Sequence, residues 1–209
     1  MTYCDYITKT TGEQLSLYKE YRDYHYGFPI ENDDELFERL MSVLINETKQ
    51  MRKSDREVSD FEAIEEIIKK ADVCRIALAT DNIPYMVTMN FGYTNDPDQL
   101  LFFHCANEGR KLEIIRRNKY VCFEMDIEHQ IFIRPGNDDR KGCNWGMKYR
   151  SVVGYGNISI ITEKEAKKTG LDCIMKHYGD ENEYIYDEKV LEKTTILRLQ
   201  ILEMTGKKS

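Results

Sequence analysis

Hydrophobic and polar residues alternate over much of the chain between residues 72 and 204, a pattern typical of half-buried β-strands. Strand-like runs cover residues 72–80, 85–93, 100–105, 120–126, 149–161 and 195–204, and 127–134 can continue the fourth run. Turn-forming residues at 81–82 and 95–98 separate neighbouring runs. Several short strands with few helices favour a small β-barrel with flanking helices, an α+β chain that is mainly β.

Three segments have helical spacing instead. They are residues 60–71, the stretch after Gly109, and residues 162–178. The apolar side of the first contains Phe61, Ile64, Ile67 and Ile68, and that of the second Leu112, Ile114 and Ile115. Thr162 and Glu165 form a capping-box pair that predicts the start of the third helix.

Residues 1–50 differ from the rest because they are rich in tyrosine and contain one predicted helix, at about 35–46. The charged stretch 51–57 is expected to be a linker. The chain is therefore expected to have a small helical N-terminal extension, residues 1–50, and a main domain, residues 51–209.

Composition narrows the possible functions. The formal net charge of −7 makes nucleic acid an unexpected partner. There is no apolar run near 18 residues and no signal-peptide pattern at the N-terminus, so we expect a cytoplasmic protein without a membrane span. Six scattered cysteines without a C-x-x-C pair indicate reduced thiols. No metal site is predicted, because Cys173 and His177 alone are too few ligands.

His104 and Lys111 lie on either side of a predicted strand-to-helix junction. The start of a helix presents free backbone N–H groups and partial positive charge, which favour phosphate. A lysine is disfavoured at that position unless an anion is bound there. The alternative is a surface turn with a solvated lysine.

The same junction contains the sequence of a known signature. Residues 104–111 read HCANEGRK, which resembles the H-x-A-x-x-G-x-K motif of flavin-binding split-barrel proteins related to pyridoxamine 5′-phosphate oxidase. Within that family the nitroimidazole-resistance subgroup is most similar. Residues 51–57, 83–90 and 149–156 resemble further family segments in the same order, with Thr88 where proline is more usual.

This resemblance implies a split β-barrel that binds FMN, or FAD, at the interface of a homodimer. It implies that the flavin ring lies along Val87, Thr88, Met89 and Asn90, and that the phosphate lies near Lys111 and His104. Further candidates on the later strand are Arg150 and Ser151, with Trp145 and Tyr149 in a cover supplied by the partner subunit. Val87 and Met89 could instead be barrel core, and Trp145 or Tyr149 ordinary interface aromatics.

His104 is the candidate catalytic residue, because histidine readily exchanges a proton near neutral pH. The alternative is a strand-end histidine with its hydrogen bonds satisfied. The resemblance implies an FMN-dependent oxidoreductase that reduces a small nitro-aromatic acceptor. A non-catalytic flavin- or haem-binding protein of the same fold is the alternative.

The N-terminal extension resembles another family. Residues 21–40 are similar to the opening of 3-methyladenine DNA glycosylases, but Arg22 stands where that family has a zinc-binding histidine. The rest of a glycosylase domain does not follow. We expect this segment to be a fragment without glycosylase activity.

Overall fold

A computed structural model of the chain describes residues 53–136, 138–179 and 184–209. The predicted N-terminal extension, its helix and its glycosylase-like opening lie outside these residues. The proposed division at residue 50 therefore stays a prediction.

The described residues form one eight-stranded antiparallel sheet that does not close into a barrel. The strands are β1 (Glu57–Val58), β2 (Cys74–Thr80), β3 (Ile83–Met89), β4 (Gly92–Asn95), β5 (Gln99–Ala106), β6 (Tyr120–Ile133), β7 (Trp145–Ile161) and β8 (Thr194–Lys208). Their order is β3-β2-β6-β7-β8-β5-β4, with β1 paired to β8. The mainly β architecture with flanking helices is confirmed.

In the described part of the chain, four helices accompany the sheet: α1 (Phe61–Lys70), α2 (Arg110–Arg117), α3 (Lys164–Tyr178) and the short α4 (Glu188–Glu192). Single 3₁₀ turns occur at Ser54–Arg56 and Gly142–Asn144. Among the described residues, no helix combines the length and apolar character needed to cross a bilayer. Within the same part of the chain, the cysteines are free thiols.

Side-chain caps explain where the helices begin. Asp60 caps α1 by accepting the Ala63 N–H at 3.0 Å. For α3 the prediction of Thr162 as the cap is wrong, because the Glu163 carboxylate accepts the N–H groups of Glu165 and Ala166. These backbone donors lower the pKa of Glu163.

Two segments of the main domain were predicted incorrectly. Glu57, placed in a linker, is the first residue of β1, because Val58 packs on the core beside Gly206 of β8. Trp145, expected to precede its strand, is already paired with Ile133 as the first residue of β7.

The single strand predicted over residues 85–93 is two strands, β3 and β4, which lie at opposite ends of the strand order. The break falls at Asn90 and Phe91. Phe91 is fully buried, and a Cβ on Gly92 would lie 2.4 Å from the Cys173 carbonyl carbon of α3. Close packing against α3 therefore redirects the chain from one edge of the sheet to the other.

The core lies between the sheet and α1 and α2, and it includes Ile67, Phe103, Phe123 and Met125. The apolar stripe of α2, Leu112, Ile114 and Ile115, is buried as predicted. This burial fixes the orientation of α2 on the sheet, and with it the position of Lys111.

Candidate functional site

A cleft of about 420 Å³ opens where the ends of β3 and β5, the start of α2 and the residues after α4 meet. Its lining consists of Thr88, Met89, Asn90, His104, Cys105, Ala106, Lys111, Lys193 and Thr194. The structure therefore brings together five residues that the sequence analysis proposed for a flavin site: Thr88, Met89, Asn90, His104 and Lys111.

The end of β3 forms one wall. Met89 is buried, whereas Thr88 and Asn90 are exposed to the cleft. Val87 does not line the cleft; it packs against the core, as the alternative interpretation expected. Among the described strands, β3 lies at the edge of the sheet and pairs with β2 alone, so half of its backbone groups face away from the sheet.

The end of β5 and the start of α2 form the opposite wall. Gly109 precedes α2 with φ 128° and ψ 163°, a backbone conformation that favours glycine, and no side chain caps the helix. The N–H groups of Arg110 and Lys111 have no hydrogen-bond partner among the described residues. The Arg110 guanidinium lies 4.8 Å from the centre of the Tyr85 ring, which joins this helix start to β3.

The cleft is electropositive. Neither Lys111 nor Lys193 forms an ion pair with any residue in the described ranges, and no carboxylate is part of the lining. Burial raises the pKa of the Cys105 thiol, and the positive charge of nearby Lys111 partly offsets this rise. His104 is exposed, and its ring makes no hydrogen bond within the described part of the chain.

Lys193 and Thr194 were missed by the sequence analysis. They follow α4, a helix that the sequence patterns did not predict, although Asp187 shortly before the apolar pair Val190 and Leu191 is a capping signal that could have indicated it. Their place in the cleft comes from β5–β8 pairing, in which Ala106 lies opposite Thr194. The sequence alone does not reveal that register.

The wall that contains Asn90 is held from behind by the C-terminal end of α3. The Tyr178 hydroxyl donates to the Asp72 carbonyl at 2.7 Å and accepts the Phe91 N–H at 3.1 Å. Burial raises the pKa of the Tyr178 hydroxyl, and the Phe91 N–H and the Asn90 side chain partly offset this rise. His177 bonds the Ala71 carbonyl at 2.9 Å, so its ring supports packing rather than a metal.

The remaining predicted residues lie outside this cleft. The Trp145 side chain is 47% exposed, and its indole N–H donates to the Asp139 carbonyl at 2.6 Å. Tyr149 is half-buried on β7 with the Lys207 amine 6.0 Å from its ring centre. Ser151, in the middle of β7, lies between Asp126 and Lys207 in the sheet.

Arg150 is also outside the cleft, and its charge is used within the chain. Its guanidinium donates to Glu66 at 2.8 Å and to the Ala63 carbonyl at 3.1 Å. The hydrogen bonds and charges of Arg150 and Lys70 lower the pKa of Glu66 to about 2. Arg150 therefore links β7 to α1 in the single chain.

A second cleft, of about 470 Å³, lies between the end of α1 and β6. Its lining includes Lys70, Asp72, Arg75, Asp126, Glu128 and His129. Arg75 pairs with Asp126 and, at 2.9 Å, with Glu124, while His129 lies 2.5 Å from Asp126. Its cations are therefore already neutralised by neighbours.

The fold agrees with the comparisons to known proteins. Residues 60–208 match the pyridoxamine 5′-phosphate oxidase family, and the chain belongs to that family. The fold is thus the split barrel that the sequence motifs implied.

Solved structures share this fold. A candidate 5-nitroimidazole antibiotic resistance protein from Bacteroides thetaiotaomicron is 31% identical, with a TM-score of 0.61 over 72% of this chain and 85% of that one. The flavocytochrome Anf3 from Azotobacter vinelandii is 18% identical, with a TM-score of 0.65 over 78% and 74% of the two chains. A FAD- and haem-binding protein from Mycobacterium smegmatis, also 18% identical, has a TM-score of 0.63 over 74% and 73%. The search of curated proteins found no match.

Proposed function

We propose that this chain is an FMN-dependent oxidoreductase that reduces a small nitro-aromatic acceptor. The proposal rests on Lys111 and two backbone N–H groups at the start of α2, which have no partner in the part of the chain that the structure describes. The described lining of their cleft contains no carboxylate. Membership of the pyridoxamine 5′-phosphate oxidase family supports a flavin as the ligand.

The donors at this end of the cleft fit a phosphate. The N–H groups of Arg110 and Lys111 would donate to phosphate oxygens, and the Lys111 amine would neutralise one charge. A phosphate would also satisfy a helix start for which Gly109 provides no side-chain cap.

The β3 wall fits a planar ring with polar edges. Met89 supplies apolar surface, while Thr88, Asn90 and the outward backbone groups of the edge strand can bond a pyrimidine edge. FMN ends at its phosphate, which the start of α2 can bind without further contacts, so we propose FMN rather than the larger FAD.

A bound flavin would accept electrons from a nicotinamide donor and deliver them to the acceptor. His104 lines the cleft with both ring nitrogens free of partners in the described part of the chain, so it can hold a proton there. Similarity to a candidate 5-nitroimidazole resistance protein favours a nitro-aromatic acceptor.

The proposed enzyme is a homodimer. Ile131 (62% exposed) and Met147 (43% exposed) are paired across β6 and β7, next to the Ile133–Trp145 pair on the same face. An exposed apolar ribbon of this kind favours a protein interface. A second copy could bring Trp145 or Tyr149 over the open cleft.

The test begins with the absorption spectrum of the purified protein and its titration with FMN. We expect flavin bands, a dimer by analytical ultracentrifugation, and NADH- or NADPH-driven reduction of a nitroimidazole. Protein that neither contains nor takes up flavin would refute the proposal. Flavin that binds but is reduced by neither nucleotide, with no nitro compound consumed, would identify the non-catalytic alternative.

A further inference from the structure

We infer that Lys193 is a second phosphate-binding cation of this cleft and selects phosphorylated flavin over riboflavin. The identity of the ligand rests on the proposed function. The position and freedom of the lysine follow from the residues around it.

Lys193 shares the cleft with Lys111 although 82 positions separate them. Antiparallel pairing of β5 with β8 sets Thr194 opposite Ala106, at the end of the strand that leads through Gly109 to Lys111. Lys193 therefore precedes β8 at the place where the α2 turn leaves β5.

The backbone on both sides of Lys193 is fixed. Asn107 donates to the Glu192 carbonyl at 2.8 Å and accepts the Thr195 hydroxyl at 2.8 Å. From the other side, the Lys167 amine donates to the Thr194 carbonyl at 2.7 Å and to the Leu191 carbonyl at 3.3 Å. These bonds hold the backbone from both sides, and the exposed Lys193 side chain lines the cleft together with Thr194.

Asn107 and Lys167 form hydrogen bonds within the chain, whereas the Lys193 side chain forms none among the described residues. Its amine forms no ion pair or hydrogen bond with the described residues, whereas Lys164, from the same region, pairs with Glu188 at 2.5 Å. Lys193 thus combines a fixed backbone with a free cation at the edge of an electropositive cleft.

Charge explains why a second cation matters. A phosphate monoester has a charge between −1.5 and −2 near neutral pH, so Lys111 alone leaves it incompletely neutralised. The net charge of −7 on the chain also repels anions at long range. A second lysine in the cleft offsets both effects for a phosphorylated ligand and does nothing for an uncharged one.

The test compares FMN with riboflavin by fluorescence titration. Lys193→Met should weaken FMN binding about tenfold and leave riboflavin binding unchanged, because one charge-assisted contact is removed. Lys193→Arg should retain most of the affinity. The matched control is Lys189→Met, an exposed lysine on α4 that is not part of the cleft lining. Equal losses for FMN and riboflavin, or equal losses in the two methionine variants, would overturn the inference.

A second measurement separates this inference from the proposed function. Inorganic phosphate is titrated into the ¹⁵N-labelled full-length protein while the amide signals of Arg110 and Lys111 are followed. If phosphate binds and Lys193→Met weakens it while neither flavin binds, the second cation stands and the flavin function fails. If these amide signals do not respond to phosphate, or respond equally in the wild type and Lys193→Met, the lysine is not a phosphate ligand.

Discussion

The two clefts of this molecule have similar volumes, about 420 and 470 Å³, and both are lined by charged side chains. They differ in how the cations are partnered. In the larger cleft, Arg75 forms ion pairs with Asp126 and Glu124, and Lys70 forms one with Glu66. Lys111 and Lys193 of the smaller cleft have no acidic partner in the described ranges.

The candidate site therefore differs from the other cleft in the ion pairing of its cations and not in its volume. A cation paired inside the chain contributes to the fold, and an anionic ligand must compete with the existing carboxylate to reach it. A cation without a partner has its full charge available to a ligand. We therefore expect ligand affinity and fold stability to respond to different sets of lysines and arginines.

The largest expected effect follows from removing the first unpaired cation. Lys111→Met should weaken FMN binding by about two orders of magnitude, since a charged contact at a helix start contributes roughly 2–3 kcal/mol. Equilibrium dialysis or fluorescence quenching measures it. Lys70→Met, in the paired cleft, is the control and should leave FMN affinity within about twofold. Similar losses in both variants would remove the distinction between the clefts.

The second effect concerns the support of the smaller cleft. Asn107→Ala removes the bonds to Glu192 and Thr195, so the free energy of unfolding should fall by about 1–2 kcal/mol. FMN affinity should fall several-fold because the segment containing Lys193 loosens. Urea denaturation and FMN titration measure the two. A loss of stability with unchanged FMN affinity would show that the bridge is structural only.

A smaller effect should come from the larger cleft. Arg75→Met leaves Glu124 and Asp126 without their shared cation, but the group is partly exposed and solvent screens it, so the loss of stability should be at most about 1 kcal/mol. FMN affinity should not change. Weakened FMN binding in this variant would contradict the separation of roles.

The smallest effect is a pH dependence of stability. Arg150 and Lys70 lower the pKa of Glu66 from 4.5 to about 2, so this carboxylate stabilises the fold above pH 4.5 and that contribution is lost as the pH falls towards 2. Thermal unfolding of wild type and Glu66→Gln, followed between pH 6 and pH 2, should converge towards the acid end. A constant difference across that range would exclude Glu66 as the source.

Local sequence patterns predicted the helix that forms one wall of the candidate cleft. Apolar spacing located α2, Gly109 marked its start, and the motif around His104 and Lys111 identified the family. These features depend on residues close in sequence, where periodicity and backbone preference determine the structure.

The other wall depends on distant residues. Lys193 reaches the cleft through the β5–β8 register, and the break at Asn90 arises because Gly92 packs on α3. Neither contact is encoded by local spacing. The roles predicted for Trp145 and Tyr149 involve a second copy, so a single chain does not test them.

The break between β3 and β4 has a mechanical consequence. Asn90 and Phe91 connect β3 and β4, the two outermost strands of the sheet in the described residues, and the candidate cleft lies beside this connection. A ligand bound to both β3 and α2 would connect these two elements and oppose local opening between them. Binding should therefore slow amide hydrogen exchange first in β3 and β4, well before it alters exchange in the central strands β6 and β7.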